Sequence, residues 1–588
     1  MKQPTRPELS GSFGMVSATH WLAASSAMAM LERGGNAFDA AVCGGLVLQV
    51  VEPHLNGPGG EVPILAYRHA QREVSVINGQ GPLPAGATIT GVRDLGLTQV
   101  PGTGLLPACV PGAFGAWMLL LEDYGRLPLE DVMAPAIGYA MKGFRLLPRA
   151  ATTIRANEEL FRNSWTSSGE VYLDNGTAPS GGKIWRNQTL GRTYERILRE
   201  AKSVGRSRER QIEKARFAYY SGFVAEAIDE FVASASVIDD SGEAHGGFLD
   251  GSDLANWTAG IEKPLHLDYK GVRVFKTGPW GQGPVFLQQL KILEGFDLST
   301  IDPYSAEFVH LVIESAKLAL ADRDSYYGDP LHVDVPMEEL LSETYNQKRR
   351  KMISNEASHE FRPGSPSGYE PWRPNFEYVG VNSNTPASGA PPDPIGRDTC
   401  HLDVVDSEGN MVAATPSGGW LHGGPCVPGL GFSLSTRGQM FWLDDRSPSA
   451  FIGGRRPRTT LSPTFVLDQS ENAVAFGTPG GDQQDQWSFN FFLRRLHFDM
   501  DIQSAIDAPT FHTSHLFSSF YPRIVQLGRI HVESRFGRDV INRLREMGHD
   551  VVEAEPWSLG RVCAVGKAGL ELVAGSDPRQ DQAYSVGR

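Results

Sequence analysis

The sequence predicts an α+β fold larger than an ordinary single domain. Three observations carry that reading. Several stretches before residue 350 have helical periodicity, short alternating strands occur near Val62 and again near Leu402, and a Pro/Gly-rich run precedes the second group of strands. At 588 residues, two packed units or one large layered unit is the default.

Taken in order, "LAASSAMAMLERGGNAFDAAVCGGLVLQVVEP" predicts two helices. One ends at Gly34-Gly35, and the next starts near Asn36 and stops before Pro53. The glycine loop "NGPGGE" (56–61) leads into the strands "VPILAY" and "VSVING". It lacks the Gly-Lys-Ser/Thr ending of a phosphate loop and precedes a strand, so tight backbone turning is its expected role. "VPGAFGAWMLLLEDYGRLPLEDVMAPAIGYAMKGF" is helical on both sides of a Gly-Arg-Leu-Pro break. Ser305 is placed to cap a helix that gathers Val309, Val312, Ile313, Ala316 and Leu320 on one face, with His310 as a structural side chain.

The run "RPGSPSGYEPWRPNFEYVGVNSNTPASGAPPDPIGR" (362–397) then reads as a long mobile segment. After it a hairpin is predicted: Cys400, Leu402 and Val404 alternate with His401, Asp403 and Val405, and Asp406–Asn410 supplies the turn before Met411–Ala414. "TFVLD" and "AVAFG" are further strands, and "DQWSFNFFLRRLHF" is helical.

Composition narrows the function. With 54 Lys+Arg against 68 Asp+Glu, a formal charge of −14 and no long basic run, a nucleic-acid partner has no electrostatic footprint. The N-terminus lacks the apolar core of a secretory signal, and the longest apolar stretch, from Ala40, is too short to span a bilayer. A cytoplasmic protein without a membrane partner is expected. The five cysteines are scattered without CxxC spacing, against a disulfide framework or a zinc site. His512 and His515 have a metal-compatible spacing but no evident third ligand, so neither a metal nor an organic cofactor is expected.

A Pro/Gly-rich segment that stops at a threonine before a strand is what a self-cleaving precursor needs. The Thr399 hydroxyl would attack the Asp398 carbonyl, an ester would form by N-to-O shift, and water would release a new N-terminus. The freed threonine carries a hydroxyl nucleophile and an α-amine, whose reference pKa of about 7.7–8.0 suits it to accept the hydroxyl proton.

The motifs "ERGGNAFDAAV", "ALADRDSYYGDP", "DTCHLDVVDSEGNMVAAT", "TLSPTFV" and "GTPGG" occur in the order found in the gamma-glutamyltransferase family of N-terminal-nucleophile hydrolases, and the chain resembles that family over most of its length. The resemblance implies a four-layer αββα sandwich shared by a large chain, 1–398, and a small chain, 399–588. It aligns Thr399 with the nucleophile and places the Thr415 and Ser417 hydroxyls near it. Thr459 and Thr460 align with a substrate-contacting hydroxyl pair, and Gly480 and Gly481 with the oxyanion donors. Missing Cβ atoms let those amides approach a developing oxyanion.

Two segments depart from the family pattern. Gln80 in "INGQGPLPAGA" stands where relatives carry an arginine for the glutamyl α-carboxylate, and a neutral amide cannot reproduce a charge-assisted bidentate grip. "LSTRGQMFW" lacks the acidic residue that holds the α-amine and carries Arg437 instead. Arg437 is either structural or, facing the pocket, suited to an acyl group with a carboxylate and no α-amine. Glu61 is a further departure, with a structural hydrogen-bonding role as the default. The expected activity is therefore a self-processing threonine amidohydrolase acting on a small-molecule amide whose acyl group is not γ-glutamyl. Acyl transfer, a true γ-glutamyltransferase and an unprocessed inactive binding relative are the alternatives.

Overall fold

The computed structural model describes residues 4–375, 399–579 and 582–588. Asp398 and most of the Pro/Gly-rich run lie outside them. Two seven-stranded antiparallel sheets form the centre. In spatial order the first contains Leu9–Gly11, Glu571–Ser576, Cys563–Ala568, Ala473–Gly477, Thr464–Asp468, Val272–Lys276 and Leu265–Tyr269. The second contains Tyr584–Gly587, Gly14–Ala18, Leu402–Asp406, Met411–Ala414, Val62–Arg68, Glu73–Gly79 and Gly260–Glu262.

Strand alternation produces the four layers. In the hairpin, Leu402, Val404, Val412 and Ala414 face the helices Trp21–Glu32 and Ala37–Val51, whereas Val405, Met411 and Ala413 meet Phe465, Ala475 and Val565 of the first sheet. Both faces of these strands are thus buried, and each fully buried Val or Met contributes about 1.5–3 kcal/mol. On the far side, helices Pro284–Leu293, Ala306–Tyr326 and Gln484–Phe498 cover the first sheet through Phe286, Leu290, Phe489 and Phe492.

Both predicted helices at the start of the chain are present. Asn36 caps the second through a capping box with Asp39, and Asp406 from the hairpin turn accepts from the Ala37 N–H at 2.9 Å. Ser305 caps Ala306–Tyr326 as expected. A series of helices between Pro148 and Ser234 extends the helical layer beside the second sheet.

The sheets interleave the two proposed chains. In the second sheet, Leu402–Asp406 lies between Gly14–Ala18 and Met411–Ala414, and Tyr584–Gly587 pairs with Gly14–Ala18. No helix among the described residues is long and apolar enough to cross a membrane.

Candidate active site

Thr399 is buried just before the hairpin strand and pairs with Ser417 in an isolated antiparallel bridge. Its hydroxyl donates to Ser417 Oγ at 3.2 Å and accepts from Gln484 Nε2 at 3.3 Å. Its carbonyl accepts from Arg561 Nη2 at 3.4 Å. Ser417 Oγ also accepts from Arg437 Nη2 at 2.6 Å.

Arg437 is the structural centre of this chain of contacts. Its Nε donates to Glu61 Oε1, and the other Glu61 oxygen accepts from the Ser435 hydroxyl. The side chains of Arg437 and Glu61 are 0% and 1% exposed, so neither charge is solvated and each relies on the other. Burial pushes the Glu61 carboxyl up, and the Arg437 guanidinium opposes that shift. The guanidinium carbon lies 4.9 Å from the Trp420 ring centre and 5.8 Å from that of Phe520. The Glu61 and Arg437 departures in the sequence are therefore one buried ion pair beside Thr399 and Ser417, and Arg437 is not an uncompensated cation.

Glycines make this arrangement possible. Glu61 and Ser417 exchange backbone hydrogen bonds at 2.8 and 3.0 Å. A Cβ on Gly60 would lie 2.1 Å from Ser417 O, and one on Gly59 would lie 2.1 Å from Ser433 O. The "NGPGGE" loop turns tightly as expected, and its further role is close backbone approach to the segment after the 402–414 hairpin.

Gly480 and Gly481 have φ of +124° and +55°. The Gly481 carbonyl accepts from Gln282 Nε2 at 3.2 Å, while the next residue, Asp482, accepts from Arg323 Nη1 at 2.6 Å. These contacts hold the glycine turn in place. Gln484 joins it to Thr399 and also accepts from the Ser462 N–H at 3.0 Å, linking the 459–462 segment to the same site. Within that segment Thr459 Oγ1 accepts from the Leu461 N–H at 3.4 Å, and the buried Thr460 hydroxyl has no partner among the described residues.

Two predicted residues sit differently from the rest. Thr415 Oγ1 is 2.9 Å from His401 Nδ1, and His401 Nε2 is 2.9 Å from Asp403 Oδ1. Thr415 thus supports, through His401, the segment between Thr399 and the strand Leu402–Asp406. Gln80 is buried, donates to Gly81 O at 3.2 Å and leaves Oε1 without a partner among the described residues. It stands outside the Thr399–Ser417–Arg437–Glu61 contacts. Gln484, His401 and Asp403 were not singled out as site residues from sequence, although Thr399, His401 and Asp403 fall on alternate positions between apolar neighbours.

Burial pushes the Asp403 carboxyl up to about 6, with His401 opposing. The folded state then holds a proton that the unfolded state releases above about pH 4, so this group's contribution to stability falls as pH rises from about 4 to 6. Asp403→Asn should flatten that decline by about 2–3 kcal/mol in urea titrations across this range. An unchanged slope would assign the pH dependence elsewhere.

Among the described residues, one group has metal-compatible spacing: His310, Glu314 and His549. Glu314 already meets Lys317 Nζ at 2.7 Å and Arg362 Nη2 at 2.9 Å, and His310 bonds His549 and the Ser354 carbonyl. Two cations on the one carboxylate disfavour a further one. His515 bonds the Glu360 carbonyl and the Gly528 N–H, and His512 stacks on His531 at 4.6 Å.

Comparison with known proteins decides the family. A family model described as gamma-glutamyltranspeptidase matches residues 23–587. This chain belongs to that family. It is 30% identical over 584 residues to the glutathione hydrolase-like YwrD proenzyme of Bacillus subtilis (strain 168), covering 97% of this chain and 98% of that protein. It is 28% identical over 580 residues to the oxamate amidohydrolase proenzyme of Klebsiella pneumoniae, with 97% and 98% coverage. Among solved structures, one named LmbA2991 is 50% identical with TM-score 0.95 and full coverage of both chains. The cephalosporin acylase from Bacillus halodurans is 28% identical with TM-score 0.82, covering 100% of this chain and 99% of that one. The gamma-glutamyltranspeptidase family comprises N-terminal-nucleophile hydrolases, and the two sheets with outer helices described above are that fold. Its members named here include a glutathione hydrolase-like protein, an amidohydrolase and an acylase, two of them proenzymes.

Proposed function

We propose that this protein is a self-processing threonine amidohydrolase whose acyl substrate is not γ-glutamyl. Cleavage between Asp398 and Thr399 yields the 1–398 and 399–588 chains. The Thr399 oxygen then attacks the substrate amide carbon, its proton passes to the new α-amine, and the Gly480 and Gly481 amides stabilise the oxyanion. The C–N bond breaks as the leaving amine takes the proton, and water hydrolyses the acyl ester. Ser417 Oγ, already accepting from a guanidinium, is too weak a base for the first transfer. That favours the α-amine in the role.

The observation that carries the acyl assignment is the Glu61–Arg437 pair. A γ-glutamyl group brings an α-carboxylate and an α-ammonium, yet Arg437 is already neutralised by Glu61 and Gln80 is uncharged. The α-ammonium, which a glutaryl group lacks, meets a Glu61 carboxylate already paired with Arg437, and a missing charge-assisted contact weakens recognition by about 1.5–3 kcal/mol, ten-fold or more in γ-glutamyl turnover. A dicarboxylate monoamide or a neutral amide fits better. Values of kcat/KM for matched glutaryl, oxalyl, butyryl and γ-glutamyl amides on the processed protein test this. A clear γ-glutamyl preference would show that Glu61 and Arg437 open to receive a zwitterion and would overturn the acyl assignment.

A further inference from the structure

Behind the glycine turn lies a second charged cluster that the proposed chemistry does not use. Arg323 meets Asp324 at 2.8 Å and Asp482 at 2.6 Å. Arg458 lies 3.8 Å from Asp324 and donates through Nη2 to Ser519 Oγ at 3.0 Å. Among the described residues Arg523 has only backbone acceptors, Gln439 O at 2.8 Å and Phe441 O at 2.9 Å, and it stacks 4.0 Å from the Trp442 ring centre. Arg323 and Arg458 thus meet the two carboxylates directly, and the Arg523 guanidinium lies in the field of both carboxylates and of both other guanidinium groups. Nearby Lys276 is matched by Asp485 at 2.9 Å and does not alter the balance.

The excess positive charge is buried and incompletely bonded. Arg458 and Arg523 are 3% and 2% exposed, and among the described residues each leaves Nη1 without a partner. The buried Tyr327 hydroxyl, another donor in the field of Arg458, also has none. Burial pushes the Arg458 guanidinium down to about 10 and that of Arg523 to about 9, and Arg458 itself contributes to the second shift. A buried unbalanced cation with idle N–H groups is costly, and a bound anion supplies both the charge and the acceptors.

The cluster's position ties it to the site. Arg458 immediately precedes Thr459-Thr460, and Ser519 donates to Asp482, the residue after Gly481. Phe520, next to Ser519, lies 2.9 Å from where a Gly481 Cβ would be and flanks Arg437. We infer that Arg458 and Arg523 form an anion subsite that receives the distal carboxylate of the acyl group, making dicarboxylate monoamides the preferred substrates. This rests on the amidohydrolase reading, in which the other carboxyl is the one bonded to Thr399.

A binding measurement separates the two claims, because product acids need no turnover. Calorimetric titration of wild-type protein in chloride-free buffer with glutarate and with butyrate should show glutarate binding about ten-fold or more tightly, the scale of one charge-assisted contact. Arg458→Met and Arg523→Met should each abolish most of that preference, while Arg458→Lys and Arg523→Lys, which retain the charge, keep part of it and guard against misfolding. Sodium chloride should compete with glutarate. Equal affinity for the two acids would overturn the subsite. Chloride binding that does not weaken glutarate would also overturn it, by showing an inorganic anion held apart from the substrate. Loss of hydrolysis with the glutarate preference intact would overturn the amidohydrolase reading alone.

Discussion

Thr399→Ala should migrate on a denaturing gel as a single chain of 588 residues, whereas the wild type should separate into two bands, the smaller with Thr399 at its N-terminus. Without the hydroxyl no N-to-O shift can start, and the α-amine that serves as base is never released. Amidase activity should fall by about 10⁴-fold or more, the scale of losing a nucleophile that acts as a unit with its base. Under native conditions the wild-type chains should remain together. Gly14–Ala18 of the large chain pairs with both Leu402–Asp406 and Tyr584–Gly587 of the small one, so separating them would break a shared sheet and its core. An intact wild-type chain with full amidase activity would refute this mechanism.

Glu61→Gln and Arg437→Met should each destabilise the protein by about 3–5 kcal/mol, because each leaves the opposite charge buried without its partner. The double substitution should recover most of that loss, which a double-mutant cycle from urea titrations measures. Activity should behave differently. Arg437 Nη2 also fixes Ser417 Oγ, the acceptor of the Thr399 hydroxyl, so Arg437→Met and the double variant should both lose kcat. The loss should be similar for glutaryl and butyryl amides, since the charge of Arg437 is balanced by Glu61. Recovery of stability without recovery of kcat separates the structural role of the pair from its positioning role. A much larger loss for the glutaryl amide would instead show that Arg437 itself binds the acyl carboxylate.

The sequence by itself determined what local chemistry can encode. The helix start near Asn36, the cap at Ser305, the hairpin alternation after Thr399 and the glycine loop at 56–61 are all written in neighbouring residues, and all are present. The long family motifs align Thr399 with the nucleophile and Gly480-Gly481 with the oxyanion donors, which is where the proposed function takes those roles from. Only the tertiary structure decided which distant positions meet. Glu61 and Arg437 are 376 residues apart, and in the sequence they read as two separate departures from the family pattern with nothing to join them. Their ion pair exists because the 56–61 loop and the 417–418 segment lie back to back with no Cβ between them. Thr415 and Ser417 likewise looked equivalent as neighbouring hydroxyls, yet one reaches His401 and the other Thr399. The cluster of Arg323, Arg458 and Arg523 was invisible along the chain, since a charge imbalance is a property of a shared low-dielectric volume and not of any one segment.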